Sequence, residues 1–171
     1  MRARFEAIDP ALQQAFRHGR LNPYLLTALA SSPPPAEQEL DLASPLIQRR
    51  IARTAPFLAR VRRAAERAGA RALGISLPHA NYVSSESWEA LRGLGRPSHP
   101  DELTTDVPDR ANLAACAAAQ LECLELTQAF RTRERDALLY YPLDTHMNAA
   151  GNRALAELVA PVLERALDSR P

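Results

Sequence analysis

Apolar residues recur through the middle of this chain at the spacing of one helix face. Between Ser44-Pro45, a helix-start signal, and Gly69, a stop, Ile47, Ile51, Leu58, Val61, Ala65 and Ala68 fall on one side. Arg49, Arg50, Arg53, Arg60, Arg63 and Arg67 fall mostly on the other. The pattern predicts a long amphipathic helix. Pro56 lies inside it and removes one backbone hydrogen bond, so a kink or a split near Thr54 is expected.

Punctuation residues divide the rest. Asp9-Pro10 and Gly19 bracket a short helix, and Asn22-Pro23 opens a second over residues 23–30. Ser31-Ser32-Pro33-Pro34-Pro35 cannot continue a helix and predicts an extended connector. The expected organisation is a single incomplete domain: a helical lead-in over 1–30, a proline-rich connector over 31–43 and an α/β part over 44–171. In that last part, residues 71–78 read as a buried strand, 85–92 as a helix, 111–119 as a helix and 121–127 as a second strand. Residues 137–141 are a candidate third strand. The polar stretch 79–110 is long enough to be functional or mobile. A last helix runs from about Asn148 to Leu167, with Leu155, Leu158, Val159, Val162 and Leu163 as its core face and Pro161 as a local defect. Helix and strand alternate, which argues for an α/β fold.

Composition narrows the function. The 171 residues are 46% hydrophobic and 24% charged, with a net charge of +1; nucleic acid is therefore not an expected partner. All basic residues are arginine, read here as coding bias and solvated helix faces rather than a binding face. No stretch is long and apolar enough for a membrane span. The opening residues lack the apolar run of a signal peptide; a signal upstream of Met1 and the compartment stay open. Cys116 and Cys123 read as buried free thiols, one disulfide being the alternative. The four histidines and two cysteines have no zinc-ligand spacing.

The segment with chemistry is Leu139-Tyr140-Tyr141-Pro142-Leu143-Asp144-Thr145-His146-Met147-Asn148. A short apolar run ends at Pro142, and an acid and a histidine follow two positions apart. Loops beyond the carboxyl ends of strands are where open α/β sheets place their sites. A carboxylate that accepts from one imidazole nitrogen fixes the tautomer and leaves the other free to take a proton from a nucleophile. Asp144 and His146 are thus candidates for the orienting acid and the general base. His79, with Asn81 and Tyr82 nearby, reads as a loop histidine, substrate contact being the alternative. His18 and His99 have no such context. Ser76 reads as a core hydroxyl, and Ser84, Ser85 and Ser87 as helix-start residues.

The string Asp144-x-His146-x-Asn148-x-x-Gly151-x-x-x-x-Ala156, between a short strand and a C-terminal helix, resembles the last block of SGNH (GDSL-type) serine hydrolases. It is similar in spacing to the branch with polysaccharide O-acetyltransferase-like proteins. The specific resemblance covers residues 138–163. It implies a partial flavodoxin-like (SGNH-type) parallel sheet with flanking helices that lacks the N-terminal central strands. It also implies serine ester hydrolysis or O-acyl transfer of the acetyl-ester class, on an acylated small molecule or carbohydrate and with no cofactor. The family's Gly-Asp-Ser nucleophile motif and Gly-x-Asn oxyanion motif are absent from this sequence. The expectation is a domain inactive alone, prone to self-association or completed by another chain, because a sheet without its central strands exposes an edge. The alternative is a non-catalytic α/β or helical module that binds a partner through the helix from Ile47 to Ala68 or through the sheet edge.

Overall fold

The computed structural model of the chain describes residues 6, 10–21, 36–94 and 96–168. The expected helix over 23–30, Asp9 and the proline run lie outside them. The elements are α1 (Pro10–Arg17), α2 (Ala36–Glu39), α3 (Pro45–Arg67), β1 (Leu73–Ser76), α4 (Ser85–Gly93), α5 (Val107–Ala118), β2 (Glu122–Glu125), α6 (Thr127–Glu134) and α7 (Ala149–Asp168). Single 3-10 turns occupy Ala80–Tyr82 and Pro100–Leu103.

β1 and β2 pair in parallel, with Leu73 opposite Glu122 and Ser76 opposite Glu125. The fold is α/β with a partial parallel sheet and flanking helices. Among the described residues these two strands pair only with each other. The candidate third strand is a correction: Tyr140 makes only an isolated antiparallel bridge to Met147. Pro142 and the tight turn after it bend the chain back before a ladder can form.

α3 runs through Pro56 unbroken, so the helix is not split near Thr54, the second correction. Pro56 and Ala52, whose carbonyl loses its partner, both lie on the exposed side, so water can replace the missing bond. Ser44 caps the helix, its Oγ accepting from the Ile47 amide at 3.3 Å. The inward face is Ile47, Ile51, Ala55, Leu58, Arg62 and Ala65. Val61 is 57% exposed, against expectation. Arg62 takes the inward position instead, its Nε donating to the Ala119 carbonyl at 3.0 Å. α3 packs on α5, which in turn packs on both strands.

The two cysteines form a disulfide, Cys116–Cys123, overturning the reading of free thiols. The turn at Ala119-Gln120, with Gln120 at φ 54°, brings the end of α5 back over β2. Gly74 leaves room for the bridge: a Cβ there would lie 2.2 Å from Cys123 Sγ.

The main core joins Ala80, Val83, Leu126, Phe130, Leu139, Tyr140, Ala154 and Val159. A smaller one, Leu21, Leu91 and Leu94, receives Phe16 from α1 and Leu143 from the loop before α7. The stretch 79–106 is not a structureless loop, as a buried carboxylate and a half-buried guanidinium pin it. Glu102, 1% exposed, holds Arg96 at 2.7 Å and accepts from Asn81 Nδ2 at 2.8 Å. Arg131 on α6 donates to the carbonyls of Tyr82, Glu102, Thr104 and Thr105 at 2.8–3.2 Å. Such charges persist inside a fold when paired and hydrogen-bonded.

Candidate active site

The Asp144–His146 loop is built by its backbone. Asn148 N–H donates to the Leu139 carbonyl at 2.9 Å and Tyr141 N–H to the His146 carbonyl at 2.9 Å, closing a narrow loop. Inside it, the amides of Asp144 and Thr145 both donate to the Tyr141 carbonyl, at 3.1 and 2.8 Å. Thr145 has φ 62°, the left-handed region that a β-branched residue rarely enters. Strain of this kind concentrates at functional sites. It turns the chain between the acid and the histidine, so that His146 Nδ1 and Asp144 Oδ2 meet at 3.1 Å.

The pair faces solvent: the His146 side chain is 74% exposed and that of Asp144 42%. Among the described residues the ring's other nitrogen, Nε2, has no hydrogen-bond partner. With Nδ1 donating to Asp144, Nε2 carries the lone pair and is free to accept a proton. An exposed pair of this kind adds little to stability. Beside it, Arg20, Tyr141, Pro142, Leu143 and Asp144 line an open depression of about 450 Å³.

The other motif residues hold the frame. Asn148 caps α7, its Oδ1 accepting from Gly151 N–H at 3.0 Å while its Nδ2 donates to the Leu138 carbonyl at 2.7 Å. Gly151 is in contact with Leu139, where a Cβ would lie 2.2 Å from the carbonyl oxygen. Ala156 is exposed, and the alanine that packs in the core is Ala154, 3% exposed. Pro161 is exposed and leaves α7 continuous. Leu163 is 46% exposed, outside the core face expected of it.

None of the described serines bonds to His146. Ser76 Oγ donates to Asp109 at 3.4 Å and accepts from Asn112 at 2.8 Å. Thr127 donates to the same Asp109 oxygen at 2.9 Å, so this carboxylate ties the end of β1 and the start of α6 to α5. Ser84 caps α4, and Ser87 is fully buried. His79 Nδ1 bonds to Asn81 Oδ1, and loss of hydration around the ring lowers its pKa. It lines a cavity of about 330 Å³ with Asn81, Tyr82 and Arg96. His99 caps the Pro100–Leu103 turn, and His18 bonds to the Gln14 carbonyl. Among the described residues no group of three or more His, Cys, Asp or Glu is placed to hold a metal. Sequence reasoning missed Asp109, Glu102 and Arg131, which position the loops, and Arg20 beside Asp144; nothing local to those residues marks them.

A parallel strand pair flanked by helices, with a histidine and a carboxylate on the loop before the last helix, makes this an α/β domain. The family model described as "SGNH hydrolase-like domain, acetyltransferase AlgX" matches residues 37–171, and the chain belongs to that family. No curated protein and no solved structure matches it.

Proposed function

We propose that Asp144 and His146 serve as the orienting acid and general base of a serine-dependent acyl transfer. The reaction is hydrolysis or O-acyl transfer of an ester, of the acetyl class. The supporting observation is the 3.1 Å contact of His146 Nδ1 with Asp144 Oδ2, which leaves Nε2 unengaged. A nucleophilic hydroxyl placed at Nε2 would lose its proton there as its oxygen attacks the ester carbonyl. The imidazolium, steadied by Asp144, then returns that proton to the leaving alcohol. The nucleophile and the oxyanion donors come, on this reading, from a segment or a chain other than the described residues. The strand pair that takes no further partner among those residues is in keeping with such completion. No cofactor enters the chemistry, and the acylated group sits on a small molecule or a carbohydrate.

The test is acetyl-ester turnover by the protein purified from its own cells, with Asp144→Asn and His146→Ala beside the parent. The expected result is a fall of at least about a hundredfold for His146→Ala with folding unchanged. Turnover that survives this substitution rules the proposal out. So does the absence of turnover after a Ser-bearing complementing chain has been co-purified. In that event the chain is a non-catalytic interaction module.

A further inference from the structure

The outer face of α3 plays no part in the Asp144–His146 site. Its 23 residues hold seven arginines and one glutamate, in a chain whose net charge is only +1. The rest of the chain is therefore acidic on balance, and the positive charge is concentrated on one helix. Two of the seven arginines are engaged, Arg50 with Glu39 at 2.8 Å and Arg62 with Glu66 at 2.5 Å. The other five, Arg49, Arg53, Arg60, Arg63 and Arg67, are exposed and make no ion pair or side-chain hydrogen bond among the described residues.

At 3.6 residues per turn these five fall on the solvent side, opposite the Ile47–Ile51–Leu58–Ala65 face. Beside them, one turn apart, stand Phe57 and Val61, 63% and 57% exposed. Arginines and apolar pair together occupy roughly 160° of the helix surface. From Arg49 to Arg67 the stripe runs about 27 Å. A single exposed apolar residue is ordinary. An aromatic and a valine side by side, bordered by five unpaired cations, are a different kind of surface.

We propose that this face docks on an anionic lipid surface. The stripe lies on the outer side of one helix, where Phe57, Arg60, Val61, Arg63 and Arg67 border a depression open to solvent. The arginines would meet anionic headgroups, while Phe57 and Val61 enter the boundary between headgroups and acyl chains. A soluble polyanion would satisfy the arginines and leave both apolar side chains in water. Docking is peripheral, since among the described residues no helix is long and apolar enough to cross a membrane. The inference is independent of the acyl-transfer reading.

The test is co-sedimentation of the full chain with vesicles of phosphatidylcholine alone or mixed with phosphatidylglycerol. Binding is expected only to the mixed vesicles, with release at high salt. The triple variant Arg53→Gln/Arg60→Gln/Arg63→Gln should lose roughly a hundredfold in partitioning. Phe57→Ser should lose roughly tenfold. All four positions are exposed, and circular dichroism checks that the variants keep their helix content. No binding to mixed vesicles, or equal binding to both kinds, overturns the proposal. So does an unchanged triple variant. Binding to poly-glutamate as tight as to vesicles, with Phe57→Ser neutral in both, also overturns it and assigns the face to a soluble acidic partner.

Discussion

Gly151 is packed against Leu139 so closely that a methyl group on it would sit 2.2 Å from the Leu139 carbonyl oxygen. Gly to Ala inside an ordinary helix stabilises by up to about 1 kcal/mol. Here the obstacle is backbone, which cannot rotate away, and overpacking costs about 1–3 kcal/mol. Gly151→Ala is expected to destabilise the chain by about 2 kcal/mol in urea unfolding. A midpoint that rises instead would mean that the start of α7 does not lie against Leu139.

Thr145 separates stability from geometry. Its left-handed φ of 62° costs about 1 kcal/mol or more in a β-branched residue, and glycine bears no such cost. Thr145→Gly is therefore expected to leave the thermal midpoint unchanged or higher. His146→Ala should stay within about 0.5 kcal/mol of the parent, because the ring is mostly in solvent and its ion pair is exposed. Calorimetry on the two variants checks both. A large loss in either would mean that the loop bears structural load.

The Cys116–Cys123 bridge closes a short loop, with a sequence separation of 7. Chain-entropy reasoning gives a bridge of that span about 2 kcal/mol. Thiol titration of the unreduced, unfolded chain is expected to find no free cysteine. The Cys116→Ala/Cys123→Ala variant should unfold at a lower urea concentration by about that amount, and reductant should no longer change its midpoint.

Arg131 sets one guanidinium against four backbone carbonyls. A lysine at this position offers a point charge rather than a fork, so most of these acceptors lose their donor. Arg131→Lys is expected to cost about 2–3 kcal/mol. It should also raise amide exchange across residues 79–106 above that of α7. Uniform exchange across the chain would contradict this.

Tyr140 is 3% exposed and donates its hydroxyl to the Pro78 carbonyl at 2.8 Å. Burial first, and Glu134 second, raise its pKa above the ordinary 10.0. Tyr82 is pushed up to about 12, again chiefly by burial. For an acid whose folded pKa is raised, the folded chain holds its proton longer than the unfolded one. This stability is complete below about pH 10 and is lost as pH rises toward the folded value. Phenolate absorbance from these two residues is expected to lag behind that of a free tyrosine. Tyr140→Phe should flatten the alkaline loss of stability while lowering stability at neutral pH.

Much of the fold is legible from local signals. Ser44-Pro45 and Gly69 bound α3, and the apolar run over 71–78 encloses β1. Asn148 opens α7, because capping and periodicity act within one or two turns. Val61 is exposed because the buried side of its helix is decided by α5, a distant partner, and not by periodicity alone. Asp109, Glu102 and Arg131 escape for the same reason: each acts on residues well outside its own element. The disulfide depends on the left-handed turn at Gln120, which neither cysteine announces. At the candidate site, the spacing of Asp144 and His146 points to their contact, but propensity gives no hint that Thr145 adopts the strained angle that makes it.

Asn148 holds Leu138 and Leu139 with its side chain and amide while it caps α7. The histidine loop is thus mounted on the last helix as a tool is mounted on a handle. Any partner that tilts that helix re-aims His146 by the same rotation, with no rearrangement inside the loop. Control over this histidine can therefore be exerted from the far end of α7, about 30 Å away by helix length.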